Sequence, residues 1–179
     1  MHTVRLLLIF LTALSVDLSA FAQKTNRTLG EREKPLVDID IGGASGNYNG
    51  QSYSEVNLGV NLNFTDWLTL RNSAFKRFGT KDNDITGLDS TLRLILTEKF
   101  DSATFRLFGG AGYRFADPSE KNALIGEGGL GFNFGRLGLG AGAKYLKYDK
   151  LQYDFTGKPT KGDDINFFFV VSAGAGLSF

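Results

Sequence analysis

The chain has 179 residues, with no cysteine, one histidine, 23 glycines, 3 prolines and 16 phenylalanines, and 20 Lys+Arg face 19 Asp+Glu. That length suits a single domain, and the lack of cysteine excludes disulfides and thiolate metal sites. A net charge of +1 lacks the basic surplus of a nucleic-acid binder.

Residues 1–22, MHTVRLLLIFLTALSVDLSAFA, place Arg5 before the apolar run Leu6 to Leu14 and end in Ala20-Phe21-Ala22. This is the layout of a secretory signal peptide, with Asp17 an unusual charge near the apolar region. The run is short of the roughly 20 residues a transmembrane helix needs. The only histidine is His2. A chain cut after Ala22 therefore has neither histidine nor cysteine, which excludes Ser-His-Asp triads, Cys-His dyads and histidine metal sites. Residues 23–34 are a polar lead-in.

From residue 35 onward the pattern has a period of two. Pro35 to Gly46 sets Val37, Ile39 and Ile41 against Asp38, Asp40 and Gly42. Tyr53 to Phe64 is the clearest case: Val56, Leu58, Val60, Leu62 and Phe64 share one face, and Glu55, Asn57, Gly59, Asn61 and Asn63 share the other. That is a strand with one apolar and one polar side. Trp67 to Phe78 begins with Leu68 and Leu70 on the apolar side and then blurs. Leu88 to Thr97 sets leucines 88, 92, 94 and 96 against Asp89, Thr91 and Arg93. Ala103 to Phe115 sets Phe105, Leu107, Ala111, Tyr113 and Phe115 against Arg106, Gly110, Gly112 and Arg114. Leu124 to Phe134, Leu137 to Tyr148 and Ile165 to Phe179 repeat the theme, with Glu127 and Lys144 on the polar side.

Eight such strands follow, with connections that alternate in length. Thr65-Asp66, Glu98 to Ser102 and Gly135-Arg136 are short. Asn47 to Ser52, Gly79 to Gly87, Ala116 to Ala123 and Asp149 to Asp164 are long. This is the layout of an all-β, eight-stranded antiparallel up-and-down barrel. The prolines agree: Pro35 opens a strand, and Pro118 and Pro159 lie in long connections, where no ladder donor is lost.

Alternation alone leaves open which face points inward. The polar face is rich in glycine, asparagine and serine and poor in long charged side chains, which suits a crowded eight-stranded interior. Phe64, Trp67, Phe100 and Phe134 gather at one predicted end, as an interfacial aromatic girdle does. Both features put the apolar face outside, toward lipid. The C-terminal stretch Ser172-Ala173-Gly174-Ala175-Gly176-Leu177-Ser178-Phe179 resembles the signal read by the outer-membrane barrel assembly machinery, with Ser172, Gly174, Leu177 and Phe179 at its marked positions. The region after the leader resembles small eight-stranded outer-membrane proteins of the OmpA-barrel and OmpX type. The resemblance implies a transmembrane β-barrel over 35–179, a periplasmic segment over 23–34, and a Gram-negative outer-membrane location.

On this register the lumen receives Asp38, Asp40, Glu55, Asp89 and Glu127 together with Arg93, Arg106, Arg114 and Lys144. Arg71 and Arg77 join them if the third strand keeps parity. Strict parity also sends Asn72 and Lys76 outward, unless a bulge near Asn72 flips the register. Unpaired charges in so narrow a space would each cost several kcal/mol. The expectation is a paired network that closes the lumen, centred on Glu55, Asp89, Arg93, Arg106 and Glu127. The competing reading of the same charges is an ion path or proton relay.

Paired carboxylates without a nucleophile and base give little ground for catalysis, so the expected protein is non-enzymatic and needs no cofactor. The runs Gly109 to Gly112 and Gly138 to Gly142 lack the Gly-Lys-Ser/Thr ending of a phosphate loop and suit close packing instead. The last long connection, DKLQYDFTGKPTKGDD, mixes three lysines and four aspartates with Tyr153 and Phe155. It is either a solvated loop or a surface for an extracellular partner. Lys76 and Lys147, near the long-loop end, would meet outer-membrane lipids and lipopolysaccharide phosphates. The expected state is a monomer with a structural or recognition role. The alternatives are a narrow porin-like channel and a soluble secreted barrel holding an apolar ligand.

Overall fold

The structure is a computed structural model that describes residues 36–48, 51–79, 85–100, 103–134, 137–153, 156–160 and 162–174. These residues belong to one compact unit, Lys34–Leu177. The leader 1–22, the lead-in 23–34, and Leu177 and Phe179 of the assembly signal lie outside the described residues.

Eight strands run in chain order: β1 Val37–Tyr48, β2 Gln51–Asn63, β3 Leu68–Phe78, β4 Ile85–Lys99, β5 Thr104–Asp117, β6 Ala123–Phe134, β7 Leu137–Tyr148 and β8 Asp163–Gly174. Every neighbouring pair is antiparallel, and β8 closes onto β1. The all-β, eight-stranded up-and-down barrel expected from the alternation is the fold.

The faces divide as parity requires. Leu58, Leu94 and Phe167 are 56%, 59% and 70% exposed, while Glu55, Asp89 and Arg114 are at most 1% exposed. Apolar side chains therefore coat the outside and charged ones fill the inside, the inverse of a water-soluble protein. This arrangement also removes the soluble-barrel alternative, because the Val56/Leu58/Val60 face points out.

The stagger of the barrel can be followed through its pairing. The Leu36 carbonyl accepts a hydrogen bond from the Asn63 backbone N–H. From Asn63 the row of partners runs through Thr69, Arg93, Gly110, Glu127, Lys144 and Asn166. It returns to β1 at Gly46. The row thus climbs from position 36 to position 46, a stagger of ten residues. Such a stagger on eight strands gives the strong tilt of about 35–45° usual in barrels.

Small and large residues alternate inside to fill this tilted tube. A Cβ on Gly129 would lie 2.7 Å from the Phe108 ring, and one on Gly142 would lie 2.8 Å from the Phe168 ring. The two phenyl groups themselves sit 6.2 Å apart, centroid to centroid. The inward glycines are the hollows into which these rings fit.

Two expectations need correction. The first connection is not a long loop: β1 continues to Tyr48 and β2 begins at Gln51, with Asn47 opposite Ser52 and Tyr48 opposite Gln51. This segment is polar on both faces and so reads as a loop, although its backbone stays in the ladder. Nor does β3 carry a bulge. Its register against β2 and β4 is unbroken from Thr69 to Arg77. Asn72 and Lys76 point outward, and Arg71, Ser73, Phe75 and Arg77 point inward.

The inverted faces predict the effect of one charge outside. Leu58→Arg, near the middle of β2, should destabilise the barrel in lipid vesicles by about 2–4 kcal/mol. Urea titration of the wild type and the variant in the same vesicles measures the difference.

Candidate functional site

The candidate site is the lumen. The described buried charges comprise Asp40, Glu55, Asp89, Glu127 and Asp164 against Arg71, Arg77, Arg93, Arg114 and Lys144. Five negative charges thus meet five positive ones, so the interior carries no net formal charge.

Arg114 on β5 sits at the centre and is fully buried. Its Nε donates to Asp89 Oδ1 at 2.7 Å and its Nη2 to Asp89 Oδ2 at 2.8 Å. Its two Nη groups also donate to the Glu55 oxygens at 3.1 and 3.0 Å. Lys144 Nζ reaches Asp89 Oδ2 at 2.6 Å. Arg77 lies 3.3 Å from Glu55 and 3.2 Å from Asp164. Six charges therefore form one connected chain: Asp164, Arg77, Glu55, Arg114, Asp89 and Lys144. Charge-assisted, often bidentate contacts of this kind are the strong class of hydrogen bond.

Two further pairs stand toward the short-turn end. Arg93 Nε contacts Glu127 Oε1 at 2.6 Å. Arg71 clasps Asp40 through Nη2 at 2.6 Å and Nε at 3.0 Å, and it also donates to Ser73 and Asn57. Room for Asp40 comes from Gly59, where a Cβ would meet the carboxylate at 2.5 Å. Inward aromatic rings cover the guanidinium planes. Arg77 lies over Tyr53 at 3.7 Å, Arg114 over Phe75 at 3.8 Å and Arg93 over Phe108 at 4.6 Å. Cation–π contact of this kind stabilises a desolvated cation.

The long-loop end is closed by tyrosines and loop residues. Tyr53 donates to Asp164 at 2.5 Å, and Tyr148 lies 3.2 Å from Arg77 Nη1. Above them Lys121, from the 3-10 turn Ser119–Lys121, sits over the rings of Tyr48 and Tyr148. Gln152 accepts from Lys121 and donates to the carbonyls of Glu120 and Lys150. The β5–β6 and β7–β8 connections are thereby tied together over the mouth. A small hairpin rises from the second connection, with Tyr153 bridged to Pro159. Its turn passes through Gly157 at φ 78°, a left-handed conformation that glycine adopts without strain.

The sequence puts nine residues in the lumen, and Arg71 and Arg77 with them if the third strand keeps parity. Seven of the nine, Asp40, Glu55, Asp89, Arg93, Arg114, Glu127 and Lys144, are buried and in ion pairs, and so are Arg71 and Arg77. Asp38 and Arg106 are the exceptions. Asp38 accepts from the Asn63 amide at 2.9 Å. The expected centre shifts from Arg106 to Arg114. Arg106 forms no ion pair with a described residue and lies near the short-turn rim. There its Nη groups face the Asn133 amide, whose oxygen accepts at 3.0 and 2.8 Å when turned toward them.

Tyr53, Tyr148, Asp164 and Asn166 were missed. The alternation of Ile165 and Phe167, extended one step each way, would have placed Asp164 and Asn166 inside. Phe64, Trp67, Phe100 and Phe134 are all more than half exposed at the short-turn end. Ser172 lines the lumen near that end, and Gly174 pairs with Asp38. Lys76 lies 5.4 Å over the Phe78 ring, and Lys147 is paired with Leu124 and Asp163. Those lysines sit on β3 and β7, on opposite sides of the ring, so one headgroup cannot engage both.

No protein-family model matches the sequence, and no curated protein matches it. Among solved structures, the chain is similar to a de novo designed transmembrane β-barrel, with TM-score 0.51 and 9% identity over 80% of this chain and 100% of that one. It is also similar to the outer-membrane enzyme PagL, with TM-score 0.53 and 14% identity over 75% of this chain and 98% of that one. The fold is that of a small transmembrane β-barrel.

The pairing predicts a thermodynamic cycle. Arg93→Met leaves Glu127 buried without its guanidinium and should lower unfolding free energy by about 3–5 kcal/mol. Arg93→Met combined with Glu127→Gln should recover most of that loss. The exposed Glu120–Lys150 pair serves as control, and Glu120→Gln should leave the urea midpoint unchanged.

Proposed function

We propose that the chain is a non-enzymatic outer-membrane protein of a Gram-negative bacterium, of the OmpA-barrel and OmpX type. Its lumen is closed by ion pairs, and it acts as a structural element or through its extracellular loops. The observation that carries this reading is the six-charge chain from Asp164 to Lys144, which crosses the lumen of an inside-out barrel. A fold shared with an enzyme transfers no chemistry, and the processed chain would hold no histidine or cysteine.

With the strand ends at Leu36 toward the periplasm, the tied β5–β6 and β7–β8 connections face outward. The first arm of the hairpin carries Leu151 and Tyr153, which are 70% and 58% exposed. An ordered loop with exposed apolar and aromatic groups suits recognition of an extracellular partner. The barrel would reach its place as a monomer through the barrel assembly machinery.

Fractionation of cells and gels of boiled and unboiled protein test the location. Recovery in the outer-membrane fraction with a heat-dependent mobility shift is expected, and a soluble protein without a shift would overturn the reading. Planar-bilayer recording tests the closed lumen. Refolded monomer should show little conductance, whereas a large and stable single-channel current would favour the porin-like alternative.

Lys76 and Lys147 would each touch a separate lipopolysaccharide phosphate. Lys76→Glu and Lys147→Glu should each lower co-purified lipopolysaccharide, with additive effects because the sites lie far apart. Unchanged lipid content in the double variant would remove both lysines from the contact.

A further inference from the structure

The lipid-facing wall breaks its apolar pattern at mid-strand on β3 and β4. The outward residues run Leu70, Asn72, Ala74 on β3 and Leu88, Ser90, Leu92 on β4. Asn72 and Ser90 are direct partners across the ladder. On its other side Asn72 pairs with Val60, which also faces out. The two polar side chains therefore sit together inside the apolar band, not at its rim.

Neither side chain forms a hydrogen bond with a described residue. The Asn72 Oδ1 is covered by its surroundings, which leaves the amide nitrogen as the polar edge on the outer surface. Ser90 is half-buried beside it, with a hydroxyl that both donates and accepts. Hydrocarbon chains offer neither group a partner, and unpaired polar groups are costly at membrane depth. Polar side chains in that position hold membrane helices together by bonding across the contact.

We propose that this face pairs two copies of the barrel about a twofold axis along the membrane normal. Both copies insert with the same end up, so a closed pair in one membrane uses that axis. The axis lays β3 of each copy against β4 of the other. Asn72 Nδ2 of one copy then donates to Ser90 Oγ of the second, and symmetry repeats the bond in reverse. The face is complementary to itself, which suits a second copy and not a lipid tail. Ala74, next to Asn72 on the outer face, lets the walls come close enough for these short side chains to meet. The barrel inserts as a single chain and pairs afterwards. This inference rests on the barrel lying in a membrane and not on the role of its loops or lumen.

Thiol cross-linking of the full chain, refolded at high dilution in phospholipid vesicles, tests it. The sequence holds no cysteine, so a single introduced thiol reports one contact. Ala74→Cys lies on the proposed face, and Ala141→Cys lies outward on β7, across the ring. Ala74→Cys should give covalent dimers with a short bismaleimide, and Ala141→Cys should not. Adding Asn72→Leu and Ser90→Ala to Ala74→Cys should weaken association about tenfold or more, read from dimer yield over a lipid-dilution series. Both added replacements are apolar and face lipid, so they do not oppose insertion, and a heat-dependent mobility shift of the same samples checks it. Equal cross-linking at both positions would overturn the proposal. So would dimers that persist unchanged in the triple variant, or no dimers from inserted Ala74→Cys barrels. Failure of every chain to insert would instead overturn the membrane reading on which the pairing rests.

Discussion

Everything inside this barrel depends on Arg114 holding two carboxylates at once. The guanidinium is removed from water, and so are Glu55 and Asp89 on its two sides. Each of these groups alone would carry a desolvation cost of several kcal/mol. Together with Arg77, Lys144 and Asp164 they cancel. Closing eight strands with apolar residues outward leaves an interior too narrow for a water-filled channel. It must be filled by the polar face, and a polar face with this many charges can be buried only when they are balanced.

The ties also act where the backbone cannot. Ladder hydrogen bonds join each strand to its two neighbours only. Arg114 joins β5 to β2, Arg77 joins β3 to β8, Lys144 joins β7 to β4, and Arg71 joins β3 to β1. These contacts cross the lumen between strands that share no ladder. Closure of the lumen and cohesion of the wall are therefore one set of interactions. The two ends differ for the same reason. At the long-loop end, Tyr53, Tyr148 and Lys121 extend the packing upward. Toward the short turns the network of direct ion pairs runs out: Asp38 accepts from the Asn63 amide, and Arg106 faces the Asn133 amide within reach of the Asp38 and Asp66 charges.

Inside and outside were legible in the sequence because strand geometry makes parity a strict rule. Every alternating segment from Ile39 to Val171 puts its residues on the side that parity assigns, including β3, where the apolar signal fades. Height was not legible. Parity says that both Arg106 and Arg114 point inward, but a stagger of ten residues sets which of them meets Glu55. Arg106 is level with the rim, and Arg114, eight positions further along β5, is level with Glu55. The polar strand ends at Asn47–Tyr48 and Gln51–Ser52 were hidden for a different reason. Above the apolar band a strand has no need of an apolar face, so it loses the signal that marks a strand while keeping its ladder.

This division of labour shapes which changes the molecule tolerates. A lumen charge is bound to a partner on a distant strand, and its loss leaves a buried opposite charge, so interior changes must be made in pairs. Loop residues carry no such constraint. Lys150 and Glu120 are both 58% exposed in their side chains, and their contact at 3.6 Å is the kind that contributes little to stability. The hairpin carrying Tyr153 is nevertheless held in shape, because Gln152 anchors its base and Thr160 returns a backbone hydrogen bond to Gln152 at 2.8 Å. A surface that is ordered by its base and free at its tip can change its side chains one at a time without disturbing the wall beneath. That freedom at the loop end, set against a central lumen filled by its own ion pairs, is the physical ground for our proposal of recognition at the loops.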